Sequence, residues 1–210
     1  MKILRYQTEA DGPVHWGWHT EGRVGPLEGS PFEPFRREEA DLSLEAVRLL
    51  PPVQPGKIIA VGRNYAAHAA ELQNEVPDVP LLFLKPPGSV IGPGETVLLP
   101  PQSTQVEHEA ELALVIGTRG RWIKPEEVDE HILGYTIAND VTARDLQQKD
   151  QQWTRSKGFD TFCPLGPWLE TEFDPADAMI TCLVNGQMRQ MGSTRDMVFT
   201  IRKLVAFISR

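Results

Sequence analysis

The chain has 210 residues, of which 40% are hydrophobic and 24% are charged, and its formal net charge is −8. This length is typical of one large domain or of a small domain beside a medium one, and the composition is that of a globular protein. The negative charge argues against nucleic acid and anionic membrane surfaces as partners. The first residues lack the apolar core of a signal peptide, so we expect a cytoplasmic protein.

Residues 1–52 are predicted to form a small N-terminal β-rich domain. Short strands are predicted at 3–6 and 14–18, between glycine, proline and aspartate breaks. A cluster of prolines at 51–55 marks the boundary with a larger domain over 57–210.

The larger domain is predicted to contain strands at 57–62, 81–84, 107–116 and 134–141, and helices at 65–72, 142–152 and 197–208. Thr142 is the expected N-cap of the middle helix, with Asp145 three residues on. An Asn-Gly turn at 185–186 predicts a hairpin. The last helix has an apolar stripe, and nothing follows it in the chain for that stripe to pack on. The fold class is therefore α+β and mainly β.

The most informative segment is the predicted strand at 107–116, where Glu107, Glu109 and Glu111 alternate and so share one face. The strand becomes apolar on both faces from residue 112, so its acidic end adjoins a buried region. Buried carboxylates are unfavourable unless they are paired or bind a cation, and Mg²⁺, Mn²⁺ and Ca²⁺ prefer carboxylate oxygen. This segment alone leaves an exposed acidic face and a metal site equally open.

Asp140 favours the metal site. It ends an otherwise apolar strand, where a carboxylate has no packing role. One aspartate and two glutamates are a sufficient protein shell for Mg²⁺, which keeps further positions for water or substrate. The alternative is that Asp140 caps the helix that follows, a role that could coexist with ligation.

His68 and Glu71 are three residues apart on the predicted helix at 65–72 and are therefore neighbours on one face. A carboxylate beside an imidazole fixes its tautomer and raises its basicity, as a general base requires. Such pairs are also common on protein surfaces, so this pair is weak evidence when taken alone.

Several short motifs occur in the same order as in one known family: Gly62-Arg63-Asn64-Tyr65-x-x-His68-x-x-Glu71, Phe83-Leu84-Lys85-Pro86, His108-Glu109-Ala110-Glu111-Leu112, Asp140-Val141-Thr142-Ala143-Arg144-Asp145 and Lys157-Gly158-Phe159-Asp160-Thr161. Together they resemble the fumarylacetoacetate hydrolase superfamily, from about residue 57 to the end of the chain. The similarity extends to bacterial 2-hydroxyhepta-2,4-diene-1,7-dioate isomerases, acylpyruvases and oxaloacetate decarboxylases.

The resemblance implies a mixed β roll preceded by a small N-terminal domain, a homodimer, and a role for each matching residue. It implies Mg²⁺ or Mn²⁺, with Ca²⁺ as a substitute, held by Glu109, Glu111 and Asp140. It also implies that the catalytic residues are His68, Glu71 and Lys157. The implied substrate-binding residues are Arg63, Arg144 and Gln147. Members continue past the last helix into strands with a Thr-Gly-Thr-Pro loop, so we expect this chain to lack its C-terminal part.

The implied substrate is a small 2-oxo acid that chelates the dication and passes through an enolate. Hydrolysis of an acylpyruvate, decarboxylation of oxaloacetate and isomerisation of a dienol share that enolate, so the sequence does not rank them. A non-catalytic module that binds metal or a diacid is the alternative.

Overall fold

The computed structural model describes residues 1–65 and 77–210, whose regular structure is mostly β. The strands are β1 Lys2–Gln7, β2 His15–Thr20, β3 Arg23–Glu28, β4 Arg36–Arg37, β5 Leu42–Ser43, β6 Arg48–Leu50, β7 Ile58–Gly62, β8 Leu81–Lys85, β9 Val90–Ile91, β10 Val106–Glu107, β11 Ala110–Ile116, β12 Ile132–Asn139, β13 Thr142–Ala143, β14 Cys163–Glu170, β15 Met179–Val184 and β16 Gln187–Ser193. The helices are α1 Arg144–Lys149, α2 Thr154–Lys157 and α3 Ile201–Ile208, and short 3₁₀ helices span Leu44–Ala46, Pro87–Ser89, Pro125–His131 and Thr194–Asp196.

One large sheet runs through both predicted domains, in the order β11-β12-β14-β1-β2-β3-β4. Strand β1 pairs with β14 on one side and with β2 on the other, both antiparallel. Its alternating side chains are buried on both faces: Ile3 packs with Leu169, and Leu4 packs with Val24. The N-terminal strands therefore extend the sheet that carries the acidic segment.

The acidic segment is two strands, and the prediction of one strand over 107–116 is wrong. Strand β10 pairs with β13, whereas β11 pairs with β12, and residues 108 and 109 lie between them. The break occurs because the chain changes pairing partner here. At the break the Asn139 side chain accepts the Glu109 N–H at 3.0 Å.

The predicted cap of the helix at 142–152 is also wrong. Helix α1 spans only Arg144–Lys149, and Ala143 is its N-cap, with no side-chain hydrogen bond. The Thr142 hydroxyl instead donates to the carbonyl of Asp140 at 2.9 Å. The Asp145 carboxylate accepts hydrogen bonds from Ser103 and Thr104, so it ties the loop before β10 to α1.

The apolar stripe of the last helix does have a partner. Helix α3 begins after its N-cap Thr200. Its Val205 is buried against Val128, in the 3₁₀ helix Pro125–His131, and against Ile123, just before that helix. The expectation of an unpacked stripe was wrong because the partner precedes β12 in the chain instead of following α3.

The strands predicted at 57–62 and 81–84 and the hairpin with its turn at 185–186 are confirmed. The helix predicted at 65–72 lies, after Tyr65, outside the described residues. No helix among the described residues is long and apolar enough to cross a membrane.

Candidate metal centre

The end of β12 and the start of β11 place three carboxylates side by side. Ala110 is opposite Asn139 in this antiparallel pair, so Glu111 lies one residue into β11 and Asp140 one residue beyond β12. The Asp140 N–H donates to the Glu109 carbonyl at 2.8 Å, which fixes the two backbones at the junction. One oxygen from each of Glu109, Glu111 and Asp140 lies within 4.8 Å of the other two.

Lys157 joins two of these carboxylates. Its Nζ donates to Glu109 Oε2 at 2.7 Å and to Asp140 Oδ2 at 2.5 Å, and its side chain is only 2% exposed. Burial disfavours the ammonium, but the charges of Asp140 and Glu109 outweigh that effect and raise the pKa of Lys157. Lys157 is therefore a cation held at the centre of the cluster.

Lys85, at the end of β8, is a second buried cation of the site. Its Nζ donates to Asp140 Oδ1 at 2.6 Å and to the Lys157 carbonyl at 2.5 Å. Lys85 thus orients the Asp140 carboxylate and at the same time fixes the end of α2, which carries Lys157. Lys85 was not among the residues predicted for the site, although a lysine that ends the apolar run 81–84 just before a proline is a usable signal.

Arg144, predicted to bind substrate, is surrounded by partners from the protein itself. Its guanidinium donates to Glu107 at 2.9 Å, to Glu109 Oε1 at 2.5 Å and to Gln147 Oε1 at 2.5 Å. Burial opposes ionisation of Glu109, but the charges and hydrogen bonds of Lys157 and Arg144 outweigh it and lower its pKa. Arg144 therefore orients Glu109 in this structure, while Gln147 and Glu107 hold the guanidinium in place.

Glu111 differs from its neighbours because its carboxylate accepts no hydrogen bond within residues 1–65 and 77–210. Burial, followed by repulsion from Asp140 and Glu109, raises its pKa to about 8. A dication would offset this repulsion, and three carboxylates offer only the hard oxygen ligands that Mg²⁺ and Mn²⁺ prefer. Each oxygen already bound by a lysine or arginine keeps a further lone pair for a metal. The residues therefore fit such an ion.

An aromatic wall stands beside the cluster. The Lys157 Nζ lies 5.1 Å from the centroid of the Phe83 ring, and Phe83 packs edge-on against Trp153 at 5.4 Å. The Arg63 guanidinium lies over the Trp153 ring, 5.8 Å from its centroid. Arg63 is thus connected to Lys157 through two aromatic rings. His68 and Glu71, the predicted water-activating pair, lie outside the described residues.

Two family models match the chain. The model described as "Fumarylacetoacetate (FAA) hydrolase C-terminal" matches residues 57–210, and the one described as "Rv2993c-like, N-terminal" matches residues 1–52. The first match covers the candidate metal centre and both lysines.

Individual relatives are similar over most or all of this chain. The uncharacterized protein MJ1656 of Methanocaldococcus jannaschii is 49% identical over 157 residues, which is 75% of this chain and 66% of that protein. The human mitochondrial protein named oxaloacetate tautomerase FAHD2A is 44% identical over all of this chain and 76% of its own length. The crystal structure of 5-carboxymethyl-2-hydroxymuconate delta-isomerase from Mycobacterium smegmatis superposes with a TM-score of 0.88, at 42% identity over all of this chain and 82% of that one. The chain therefore spans about two thirds to four fifths of the length of these relatives.

Proposed function

Because the chain belongs to the fumarylacetoacetate hydrolase family, whose members include isomerases, hydrolases and tautomerases, we propose that it is a dication-dependent enzyme of 2-oxo diacids. The reaction we favour is proton transfer between the carbon next to the 2-oxo group and an oxygen or a more distant carbon. Keto–enol tautomerisation of oxaloacetate is its simplest form. The single observation that carries the proposal is the cluster of Glu109, Glu111 and Asp140, two of which bind the Lys157 ammonium.

The protein's share of this chemistry begins with binding the ion. Glu109, Glu111 and Asp140 would hold Mg²⁺ or Mn²⁺, with Ca²⁺ as a substitute. When bound, the dication supplies a Lewis acid that polarises the 2-oxo group and makes the neighbouring C–H more acidic. Lys85 and Arg144 keep two of the three carboxylates in fixed orientations, which is how groups around a metal shell usually act.

Lys157 would stabilise the negative charge that develops on the 2-oxo oxygen as the proton leaves carbon. Its ammonium is buried and held by two carboxylates, so it needs no reorganisation when the charge appears. It can then donate the proton that converts an enolate to an enol. Phe83 lies over the same ammonium and limits water access on that side.

The far carboxylate of a diacid needs a second cation. Arg144 is engaged by Glu107, Glu109 and Gln147, whereas Arg63 contacts the face of Trp153 and has no carboxylate partner among the described residues. We therefore assign Arg63 to the distal carboxylate of the substrate. His68 and Glu71 are proposed to take and return the carbon-bound proton, since a histidine beside a carboxylate is a suitable base.

A second candidate is hydrolysis of an acylpyruvate, for which His68 and Glu71 would activate water. It shares the enolate with tautomerisation, as does decarboxylation of oxaloacetate. Proton transfer is placed first because relatives with tautomerase and isomerase names reach 44% and 42% identity over this whole chain, whereas the structures with hydrolase names that cover it are 38% and 28% identical. A non-catalytic module that binds metal or a diacid is the third reading.

The experiment is a comparison of substrates under one set of conditions. The full-length protein is mixed with enol oxaloacetate, acetylpyruvate or 2-hydroxyhepta-2,4-diene-1,7-dioate, with Mg²⁺ or with a chelator, and ultraviolet absorbance is followed. We expect ketonisation of oxaloacetate faster than in a protein-free sample to require both the protein and Mg²⁺. This acceleration should be lost in Glu109→Gln but retained in Glu126→Gln, a change at an exposed surface residue. Turnover of acetylpyruvate alone would replace this proposal by hydrolysis, and no turnover of any substrate would favour the binding module.

A further inference from the structure

The Gln190 side chain is hydrogen-bonded to the free edge of the segment that carries Glu109 and Glu111. The Gln190 Nε2 donates to the Ala110 carbonyl at 2.7 Å, and the Ala110 N–H donates to Gln190 Oε1 at 2.8 Å. Ala110 is the residue between the two glutamates. Strand β11 pairs with β12 on its other side and is the terminal strand of the sheet in the part of the chain that the structure describes.

This pair of hydrogen bonds has a specific chemical requirement. The backbone of an edge residue presents one N–H donor and one C=O acceptor, and both need partners when half-buried. A carboxamide offers one acceptor and one donor group at the matching spacing, so only asparagine and glutamine can act as this substitute for a missing strand. Gln190 is 80 residues away in sequence, so the contact belongs to the tertiary fold.

The hairpin delivers Gln190 to this position. Within β16, Gln190 is half-buried, whereas its neighbours Arg189 and Met191 are exposed. The base of the hairpin is fixed by Thr194, whose hydroxyl accepts the Ala178 N–H at 2.8 Å and donates to the Pro175 carbonyl at 2.6 Å. The hairpin, held at its base by Thr194, therefore contacts the segment of the metal centre through the hydrogen bonds of Gln190 to Ala110.

We propose that Gln190 is a positioning residue for the metal centre, acting through the backbone of Ala110; the proposal rests on the proposed function. The direction of the Ala110 peptide groups sets where the Glu109 and Glu111 side chains leave the backbone. On the other edge, the Asp140 N–H donates to the Glu109 carbonyl, and the Asn139 side chain accepts the Glu109 N–H. Gln190 completes this clamp, so that both glutamates reach the same ion.

The test uses Mn²⁺ as the probe and the full-length protein. The variant Gln190→Met keeps the length of the side chain and removes both hydrogen bonds. Its matched control is Gln187→Met, the same change on the same strand. Among the described residues, the Gln187 amide accepts a hydrogen bond only from the exposed Arg189 side chain. Gln190→Asn, which keeps the carboxamide one methylene too short, is the second variant if Gln190→Met does not fold.

Three measurements separate positioning from general stability. Calorimetric titration gives the Mn²⁺ dissociation constant of the folded protein, the spectrum of bound Mn²⁺ in electron paramagnetic resonance reports its ligand geometry, and amide hydrogen exchange at Ala110 is measured without metal. We expect Gln190→Met to weaken Mn²⁺ binding about 10–100-fold, the usual effect of changing a group that orients a ligand, to alter the spectrum and to accelerate exchange at Ala110. Gln187→Met should match the wild-type protein in all three.

Two results overturn the proposal in different ways. If Gln190→Met binds Mn²⁺ as tightly as the control, with an unchanged spectrum, Gln190 is only a structural contact, and the proposed function still stands. If the wild-type protein itself binds no Mn²⁺, the proposed function fails and this proposal fails with it.

Discussion

Replacing Glu111 by glutamine is expected to stabilise the metal-free protein at neutral pH, even though it removes a predicted metal ligand. Burial, followed by repulsion from Asp140 and Glu109, raises the pKa of Glu111 from its ordinary value of 4.5 to about 8 in the folded protein. An acid whose pKa rises on folding destabilises the fold as pH rises above its unfolded pKa, and the full cost is reached above the folded pKa. That cost is at most about 5 kcal/mol above pH 8 and about 3 kcal/mol at pH 7, at 1.36 kcal/mol per pKa unit.

The assay is urea unfolding in the presence of a chelator at a series of pH values from 5 to 8.5. The free energy of unfolding of Glu111→Gln minus that of the wild type should grow by up to about 1.4 kcal/mol per pH unit, because glutamine does not ionise. Adding Mn²⁺ at 100 times its dissociation constant should cancel most of the difference expected at pH 7, since binding to the folded state alone adds about 2.7 kcal/mol to the wild type only.

The control is Glu126→Gln, on the exposed face of the 3₁₀ helix Pro125–His131, which should run parallel to the wild type at every pH. Parallel curves for Glu111→Gln as well would show that Glu111 ionises normally in the fold. The cluster would then lack the carboxylate repulsion that a bound dication offsets.

Three further outcomes are expected. Lys85→Met leaves the buried Asp140 with one ammonium instead of two, and should lower the free energy of unfolding in urea by about 3 kcal/mol, the low end for breaking a buried pair. The control Lys124→Met, at an exposed ion pair, should lower it by less than about 1 kcal/mol. Equal losses in the two variants would contradict the role given to Lys85. His68→Ala should lower turnover about 10²–10⁴-fold with an unchanged Mn²⁺ dissociation constant, and wild-type turnover would remove His68 from the mechanism. Burial raises the pKa of the Cys163 thiol to about 11. Iodoacetamide at pH 8 should therefore alkylate Cys163 only after unfolding, as measured by peptide mass spectrometry. Rapid alkylation of the native protein would contradict this expectation.

The chemistry of the site was easier to predict from sequence than its geometry. Spacing placed Glu107, Glu109 and Glu111 on one face and Asp140 at a strand end. The resemblance singled out Glu109, Glu111 and Asp140, and the structure brings these three together. The break between β10 and β11 was not predictable, because it depends on which distant strands pair with each half of the segment.

Long-range partners account for the other failures. The apolar stripe of α3 packs on Val128, which lies more than 70 residues earlier, so the order of elements along the chain misled the prediction. Gln190 carried no local signal at all, since only the folded hairpin brings its amide to Ala110. The homodimer and the metal-ligating roles stay predictions.

Hydrogen–deuterium exchange at carbon 3 of oxaloacetate tests the central claim most directly. Exchange in D₂O is followed by proton nuclear magnetic resonance with the full-length protein, with and without Mg²⁺, beside Glu111→Gln and a protein-free sample that contains the same Mg²⁺. We predict exchange well above the protein-free rate only when both the wild-type protein and Mg²⁺ are present. Equal exchange by the wild type in a chelator, or by Glu111→Gln in Mg²⁺, would contradict a dication held by these carboxylates as the basis of the reaction.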